Sequence, residues 1–91
     1  MNQGPWKAFI RLCEDMSHDQ ELSAFFDLFF TIEEKETLAS RYLIIKALLE
    51  DKLTQREIAN TYKVSISQIT RGSNALKIIS HKLKKALTSR M

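Results

Sequence analysis

The chain has few residues that end helices or cross-link a polypeptide: two glycines, one proline and one cysteine among 91 residues. Because glycine and proline punctuate turns, their scarcity predicts an all-helical domain with short connections. The single Cys13 excludes an internal disulfide and suits a reducing cytoplasm, where we expect the protein to act. No apolar run approaches the roughly 18 residues of a membrane span, and the N-terminus lacks the pattern of a secretory signal, so no membrane association is predicted.

Acidic residues are scarce in the second half of the chain. Residues 52–91 hold nine Lys or Arg and one acid, Glu57, a net charge of +8, whereas residues 1–51 hold five basic and ten acidic residues, a net charge of −5. Attraction to phosphates depends on a local basic surface rather than on a basic average. The C-terminal half is therefore the candidate nucleic-acid surface, although a solvated tail is the alternative for its last basic run, Lys82, Lys84, Lys85 and Arg90.

Clusters of catalytic or metal-binding residues are also missing. Cys13 and His18 are five positions apart, and His81 stands alone in a basic stretch. We find no metal-ligand spacing, no phosphate-binding glycine loop and no nucleophile with a plausible base. The sequence predicts that the chain is not an enzyme and that it has no catalytic residue, no metal site and no cofactor.

The hydrophobic residues, 44% of the chain, are clumped. Residues 24–30, AFFDLFF, place four Phe and one Leu around a single Asp, so a helix here would be apolar on nearly every side. A monomer of this size has little core in which to bury such a helix. We expect a homodimer with a shared core, and a single well-filled core is the alternative.

Hydrophobic spacing and capping boxes predict the helix order within one domain, residues 1–91. Residues 5–50 form the N-terminal dimerisation helices: one over 5–16, a second opened by Ser17 with Gln20 and running to Phe29, and a third opened by Thr31 with Glu34 and reaching about Glu50. Residues 54–79 form a helix-turn-helix. Residues 80–91 form a last helix, either after a break near Ser80 or continuous with the helix before it.

The helix-turn-helix is predicted from two short helices separated by a tight turn. Capping boxes mark both starts, Thr54 with Glu57 and Ser65 with Gln68, which leaves residues 62–64 for the turn. Lys63 stands where many such turns have Gly, and it loses about 1 kcal/mol if it must adopt a positive φ.

The outer face of the second helix carries hydrogen-bonding side chains. With Ile66 and Ile69 turned inward, the residues at i, i+3, i+4 and i+7 share the outer face: Ser67, Thr70, Arg71 and Asn74. These side chains suit base edges and phosphates. An ordinary solvated face is the alternative.

The residues TQRE at 54–57 and ITRGSNALK at 69–77 resemble the tryptophan repressor family, and the similarity extends from about Phe26 to Lys77. The resemblance implies six helices, with the N-terminal helices of two chains interlocked. It also implies a repressor that binds double-stranded operator DNA when L-tryptophan is bound as corepressor. Tryptophan bound between the third helix and the recognition helix would hold the recognition helix in an outward position. The two recognition helices of a dimer could then enter two successive major grooves.

The resemblance also implies the tryptophan site. Arg41 and Arg71 correspond to the arginines that sandwich the indole ring. Thr31 corresponds to a hydroxyl near the carboxylate, and the backbone carbonyls of Leu28 and Phe30 to acceptors for the ammonium group. Gly72 stands where a side chain could obstruct the ligand or the DNA backbone.

Two positions depart from the family pattern at this site: Ala75 replaces a Ser that holds the amino group, and Gln68 replaces a Thr that lines the indole pocket. A lost hydrogen bond to a charged group costs about 1.5–3 kcal/mol. Tryptophan would then bind more weakly, or an indole without the ammonium group would compete better.

For DNA, the resemblance implies that Arg56 contacts guanine and that Ile66, Ser67 and Thr70 approach the bases, often through water. Five residues correspond to phosphate contacts: Gln55, Ser40, Ser73, Asn74 and Lys77. Ala59 replaces a Lys of the family's first motif helix, which removes one groove contact and predicts a different operator.

Two further readings stay open. The first is a related dimeric helix-turn-helix regulator that responds to another ligand or to none. The departures from the family pattern at Ala75 and Gln68 leave this reading open. The second is a dimeric interaction module in which the helix-turn-helix only packs. The absence of salt-dependent DNA binding would favour the second reading.

Overall fold

The computed structural model describes residues 3–91, which form six α-helices and no strand. The helices are α1 (Gly4–His18), α2 (Leu22–Phe29), α3 (Ile32–Glu50), α4 (Gln55–Tyr62), α5 (Ile66–Ile78) and α6 (His81–Arg90). The all-helical prediction and the order of its helices are confirmed. The residues group into two compact units, one ending at Glu34 and the other beginning at Lys35.

The first unit is held together by aromatic rings. Phe9 of α1 stacks on Phe25 of α2 with ring centroids 5.6 Å apart, and it meets the edge of Phe29 at 5.2 Å. Phe25 is buried, whereas Leu28 and Phe29 remain 79% and 49% exposed. One side of the Phe-rich helix is therefore covered within the unit, and another side presents apolar surface.

The predicted start of α2 was wrong. Ser17 lies inside α1, where its hydroxyl donates to the carbonyl of Glu14 at 2.7 Å, so it caps nothing. The helix α1 continues to His18, and Gln20 takes a left-handed conformation with φ 60° in the connection that follows. The N-cap of α2 is Glu21, which makes no side-chain capping bond. A hydroxyl near a helix end can satisfy the preceding carbonyl instead of opening a new helix.

The start and end of α3 agree with the sequence. The backbone N–H of Glu34 donates to the Thr31 hydroxyl at 3.1 Å, and the N–H of Thr31 donates to the Glu34 carboxylate at 2.8 Å. The helix then continues for 19 residues to Glu50. Its apolar residues lie around much of its circumference, since Ile44 is buried while Tyr42 is 52% exposed.

The core of the second unit is formed by α3, α4 and α5. Ile44 and Ala47 of α3 meet Ile58 of α4 and Ile69 of α5, and all four are at most 3% exposed. Five partly buried residues pack against this cluster: Leu48, Leu53, Ala59, Tyr62 and Val64. Full burial of one Ile side chain stabilises a fold by about 1.5–3 kcal/mol, so this small cluster fixes how α5 sits against α3.

The connection between α4 and α5 has the predicted form. Both capping boxes are complete, and Lys63 adopts the left-handed conformation, with φ 57° and ψ 45°. One expectation was wrong: Ile66 is 51% exposed rather than turned inward. It lies in the first turn of α5, outside the cluster that covers Ile69.

The last two helices are separate. Ile79 and Ser80 are extended, and the Ser80 hydroxyl accepts the backbone N–H of Leu83 at 3.0 Å, which caps α6. The predicted break near Ser80 is confirmed, and the alternative of one continuous helix is wrong.

We predict that Lys63→Gly raises the free energy of unfolding by about 1 kcal/mol, because glycine adopts the left-handed conformation without a Cβ clash. The measurement is urea-induced unfolding followed by circular dichroism. Lys52→Gly is the matched control, since Lys52 is exposed, lies in a connection and has no positive φ. Equal effects of the two substitutions would contradict the strain at Lys63.

Candidate functional site

A cavity of about 390 Å³ opens between α3 and α5 within the second unit. This volume lies in the range of small-molecule sites, roughly 300–1,000 Å³. Its lining comes from the two helices: Thr37, Arg41, Ile44 and Ile45 from α3, and Gln68, Arg71, Gly72 and Ala75 from α5. Five of the residues predicted to bind the ligand therefore surround one cavity.

The close approach of α5 to α3 at this cavity depends on Gly72. A Cβ at this position would lie 3.0 Å from Cγ2 of Ile44 and 3.5 Å from Cδ1 of both Ile45 and Leu48. A 3.0 Å contact is too tight for a buried side chain to accept without a shift. The sequence suggested that Gly72 avoids a ligand or the DNA backbone, whereas the structure gives helix packing as its immediate contact.

Two of the four polar side chains that line the cavity are cationic. Arg41 lies on the α3 wall and Arg71 on the α5 wall, and both are exposed. No acidic residue is among those that line the cavity, and Ile44 and Ile45 supply apolar surface. Guanidinium planes stack on aromatic faces and pair with carboxylates. The cavity is therefore suited to a flat aromatic molecule that carries a negative group.

Gln68 takes part in both the cavity and the cap of α5. Its side-chain oxygen accepts the Ser65 backbone N–H at 3.0 Å and lies 3.2 Å from the Ser65 hydroxyl. Because the capping box uses the oxygen, the amide nitrogen is the group of Gln68 that suits a ligand acceptor. Ala75 contributes only a methyl group to the lining.

Three residues that line the cavity were not predicted from the sequence, namely Thr37, Ile44 and Ile45. Thr37 lies one helical turn before Arg41, so the i, i+4 spacing from a proposed ligand residue could have identified it. The two isoleucines lie among several apolar residues of α3, and nothing in that pattern distinguishes a cavity wall from a core.

The other three residues predicted to contact the ligand, Leu28, Phe30 and Thr31, belong to the first unit. Leu28 is exposed on α2, and the ring of Phe30 lies 5.4 Å from that of Phe26. The Thr31 hydroxyl accepts the N–H of Glu34 in the cap of α3. Their contacts with tryptophan remain predictions.

The residues predicted to face DNA are distributed over three helices of the second unit. Gln55 and Arg56 are exposed in the first turn of α4, and Ser40 on α3 is half-buried. On α5, Ser73 is half-buried and the other residues are exposed: Ile66, Ser67, Thr70, Asn74 and Lys77. The Thr70 hydroxyl donates to the Ile66 carbonyl at 3.0 Å, which leaves its oxygen as an acceptor.

Glu57 is the single acid of residues 52–91, and it is engaged in the cap of α4. Hydrogen bonds from Thr54, first from its backbone N–H and then from its side chain, hold the pKa of Glu57 below its ordinary value. The carboxylate is therefore charged at neutral pH and is committed to the backbone.

Residues 3–91 contain no group of three or more His, Cys, Asp or Glu that is arranged to hold a metal ion. Cys13 is a half-buried free thiol in α1. None of the six helices is long and apolar enough to cross a membrane.

We predict that Gly72→Ala lowers the free energy of unfolding by about 1–3 kcal/mol through overpacking, although alanine is the better helix former. Denaturant unfolding measures this change. Ser73→Ala, one residue along the same helix, is the control and should be nearly neutral or stabilising. A Gly72→Ala variant as stable as the parent would contradict the close contact with Ile44.

Comparisons with known proteins place the chain in a family. The model of the Trp repressor protein family matches residues 4–91. A protein of Chlamydia caviae described as a Trp operon repressor homolog is 52% identical over 86 residues, which cover 94% of this chain and 85% of the relative. A protein of Chlamydia trachomatis serovar D with the same description is 54% identical over 82 residues, covering 90% of this chain and 87% of the relative.

A more distant relative supports the same assignment. A Trp operon repressor homolog of Vibrio vulnificus strain YJ016 is 34% identical over 84 residues, which cover 88% of this chain and 82% of the relative. The match to the family model spans every helix of the structure. The chain therefore belongs to the Trp repressor protein family, a family of transcriptional repressors.

Proposed function

We propose that the protein is a tryptophan-dependent transcriptional repressor. L-tryptophan acts as corepressor in the α3–α5 cavity and orients the helix-turn-helix for operator DNA of tryptophan biosynthesis or uptake genes. The protein works in the cytoplasm as a homodimer and catalyses no reaction. The observation that carries the proposal is the pairing of Arg41 and Arg71 across a cavity of suitable size, in a chain whose relatives are described as Trp operon repressor homologs.

The chemistry of the lining matches an indole amino acid. The indole ring stacks between the two guanidinium groups, and one of them pairs with the carboxylate. The isoleucines cover the ring edge. Ala75 offers no acceptor to the ammonium group, so the backbone carbonyls of Leu28 and Phe30 are the proposed acceptors.

The corepressor couples to DNA because α5 carries both sites. One side of α5 lines the cavity with Arg71, and its exposed residues include Ser67 and Thr70. A ligand wedged between α3 and α5 stabilises one orientation of α5, which shifts the population towards the DNA-competent state. By linkage, DNA must tighten tryptophan binding by the same factor.

A dimer is supported by the apolar surface that one chain leaves exposed. Large side chains are exposed in the helices assigned to dimerisation, with fractions from 39% to 79%: Trp6, Ile10, Leu12, Leu28, Phe29, Ile32, Leu38 and Tyr42. Exposed apolar area on this scale marks an interface. A two-fold dimer presents two α5 helices, which suits half-sites about one helical turn apart, roughly 34 Å.

A second candidate is a related dimeric helix-turn-helix regulator with another ligand or none. Ala75 favours it, because this residue removes a hydroxyl from the cavity. An aromatic carboxylate without an ammonium group would lose nothing by that change.

We predict that L-tryptophan binds at one molecule per chain and that Arg71→Ala weakens binding by roughly 10- to 100-fold, the loss expected for a hydrogen bond to a charged group. Isothermal titration calorimetry measures both quantities without knowledge of the operator. Arg90→Ala is the control, because Arg90 lies at the end of α6 and does not line the cavity.

Three outcomes of this titration separate the candidates. Loss of binding in Arg71→Ala with retention in Arg90→Ala supports the corepressor site. Absence of heat and of thermal stabilisation at millimolar tryptophan would contradict it. Binding of an aromatic carboxylate in place of tryptophan would favour the second candidate.

We predict that Arg56→Ala lowers affinity for a duplex selected from a random pool by about 1–3 kcal/mol, with a smaller loss on random-sequence DNA. The reason is that Arg56 contacts a base edge through a bidentate pair. Arg56→Lys keeps the positive charge but loses the two parallel N–H donors of the guanidinium group, so it should show the same loss of preference for the selected duplex over random-sequence DNA. Fluorescence anisotropy at fixed salt measures both affinities, and equal losses on the two DNAs would refute the base contact.

A further inference from the structure

The last third of the chain carries positive charge without any negative charge. From Ile58 to Met91 there are seven Lys or Arg and no Asp or Glu. The proposed DNA contacts use two of these cations at most, Lys77 and, through the ligand, Arg71. Three other cations lie within four consecutive residues of α6: Lys82, Lys84 and Lys85.

The helix α6 separates these cations from its apolar residues. Ala86 and Leu87 are half-buried, whereas His81, Lys82, Lys84 and Lys85 are exposed. At about 100° per residue, Lys85 lies opposite the side that carries Leu83, Ala86 and Leu87, and Lys82 and Lys84 lie on the two flanks between these sides. Lys82 and Lys85 are three residues apart on a helix that contains no acidic residue, a spacing at which like charges repel by a few tenths of a kcal/mol. A protein surface that serves only to keep the protein soluble usually carries both positive and negative side chains.

The position of α6 in the chain brings its lysines close to the proposed DNA surface. Lys77 lies in the last turn of α5, which ends at Ile78, and Ser80 is the N-cap residue of α6. Lys82 follows Lys77 by five positions, a reach of at most about 18 Å. A duplex carries one phosphate charge per roughly 1.7 Å of its axis. A phosphate strand that Lys77 contacts therefore continues within reach of α6.

We infer that the exposed lysines of α6, here called the α6 basic face (Lys82, Lys84 and Lys85), form a second, sequence-independent contact with the DNA backbone. The inference rests on the proposed DNA binding by α4 and α5, and it extends the footprint beyond them. The face supplies affinity through counterion release and steers association, but it reads no bases.

The observations favour DNA over an anionic membrane as the partner of this face. A helix that lies in a membrane interface needs a broad apolar face. On α6 the apolar side consists of Leu83, Ala86 and Leu87, two of which are half-buried within the protein. Leu83, 47% exposed, is then the one large side chain left to insert into lipid.

The test compares two charge-matched variants of the full chain. Lys82→Gln/Lys85→Gln removes two cations from the α6 basic face, and Lys7→Gln/Arg11→Gln removes two exposed cations from α1. Affinity for a random-sequence duplex of about 20 base pairs, roughly two helical turns, is measured by fluorescence anisotropy over a series of salt concentrations. Circular dichroism checks that both variants keep the helix content of the parent.

We expect the slope of log K against log salt to fall in magnitude by up to about 1.8 in the α6 variant, at roughly 0.9 per lost phosphate contact, and to be unchanged in the α1 variant. The charge-preserving variant Lys82→Arg/Lys85→Arg should keep the slope of the parent. These results together support the α6 contact.

Other outcomes overturn the inference. If the parent binds DNA and the α6 variant keeps its slope, the α6 contact is wrong and the proposed function stands. Equal decreases in both variants would show an effect of net charge alone. If the parent shows no salt-dependent binding, the proposed DNA-binding function fails as well. Unchanged DNA binding with loss of binding to phosphatidylserine vesicles would assign the face to a membrane.

Discussion

The contact of Gly72 with Ile44 is the constraint on which the site depends. Because no Cβ stands between them, α5 approaches α3 closely enough to bury Ile69 with Ile44, Ala47 and Ile58. The cavity opens beside this contact, and its two arginines come one from each helix. A small, dry cluster therefore sets both the spacing of the arginines and the orientation of the helix proposed to enter the DNA groove.

The charge of the second unit complements this geometry. The single acid of residues 52–91 is held in the cap of α4, where hydrogen bonds lower its pKa, so the surfaces of α5 and α6 present cations without competing carboxylates. The lining of the cavity likewise includes no acidic residue, so its two arginines suit the carboxylate of the proposed ligand. The proposed ligand needs two arginines at short range, and the proposed DNA contact needs a broad positive surface.

Much of the second unit follows from local sequence signals. The capping boxes at Thr54 and Ser65 fix the starts of α4 and α5, and Lys63 takes the left-handed conformation that the short turn requires. These features depend on bonds between residues three or four apart, which a sequence shows directly. Ser17 has the same local pattern, but the continuation of α1 places it inside a helix, and Gln20 bends the connection instead.

The site was less accessible to sequence reasoning, because its lining depends on how two distant helices meet. Arg41 and Arg71 were named through the family pattern, and periodicity alone would have left Arg41 as a solvent-facing charge. The prediction that Ile66 points inward was wrong, because hydrophobic periodicity does not show where along α5 the neighbouring helices stop covering its apolar face. The two roles of Gln68, in the cap and in the cavity, could not both be predicted from local sequence signals, because the second depends on the approach of α3. The contacts of Leu28, Phe30 and Thr31 and the interlocked dimer stay predictions.

We propose that tryptophan and DNA bind to one coupled element, α5. The most direct measurement is the affinity for a duplex selected from a random pool, with and without saturating L-tryptophan at fixed salt, together with the tryptophan affinity with and without that duplex. If the two sites are coupled, each ligand tightens the binding of the other by the same factor, roughly 5- to 150-fold for a typical allosteric coupling. A DNA affinity that does not change with tryptophan would show that the sites are not coupled.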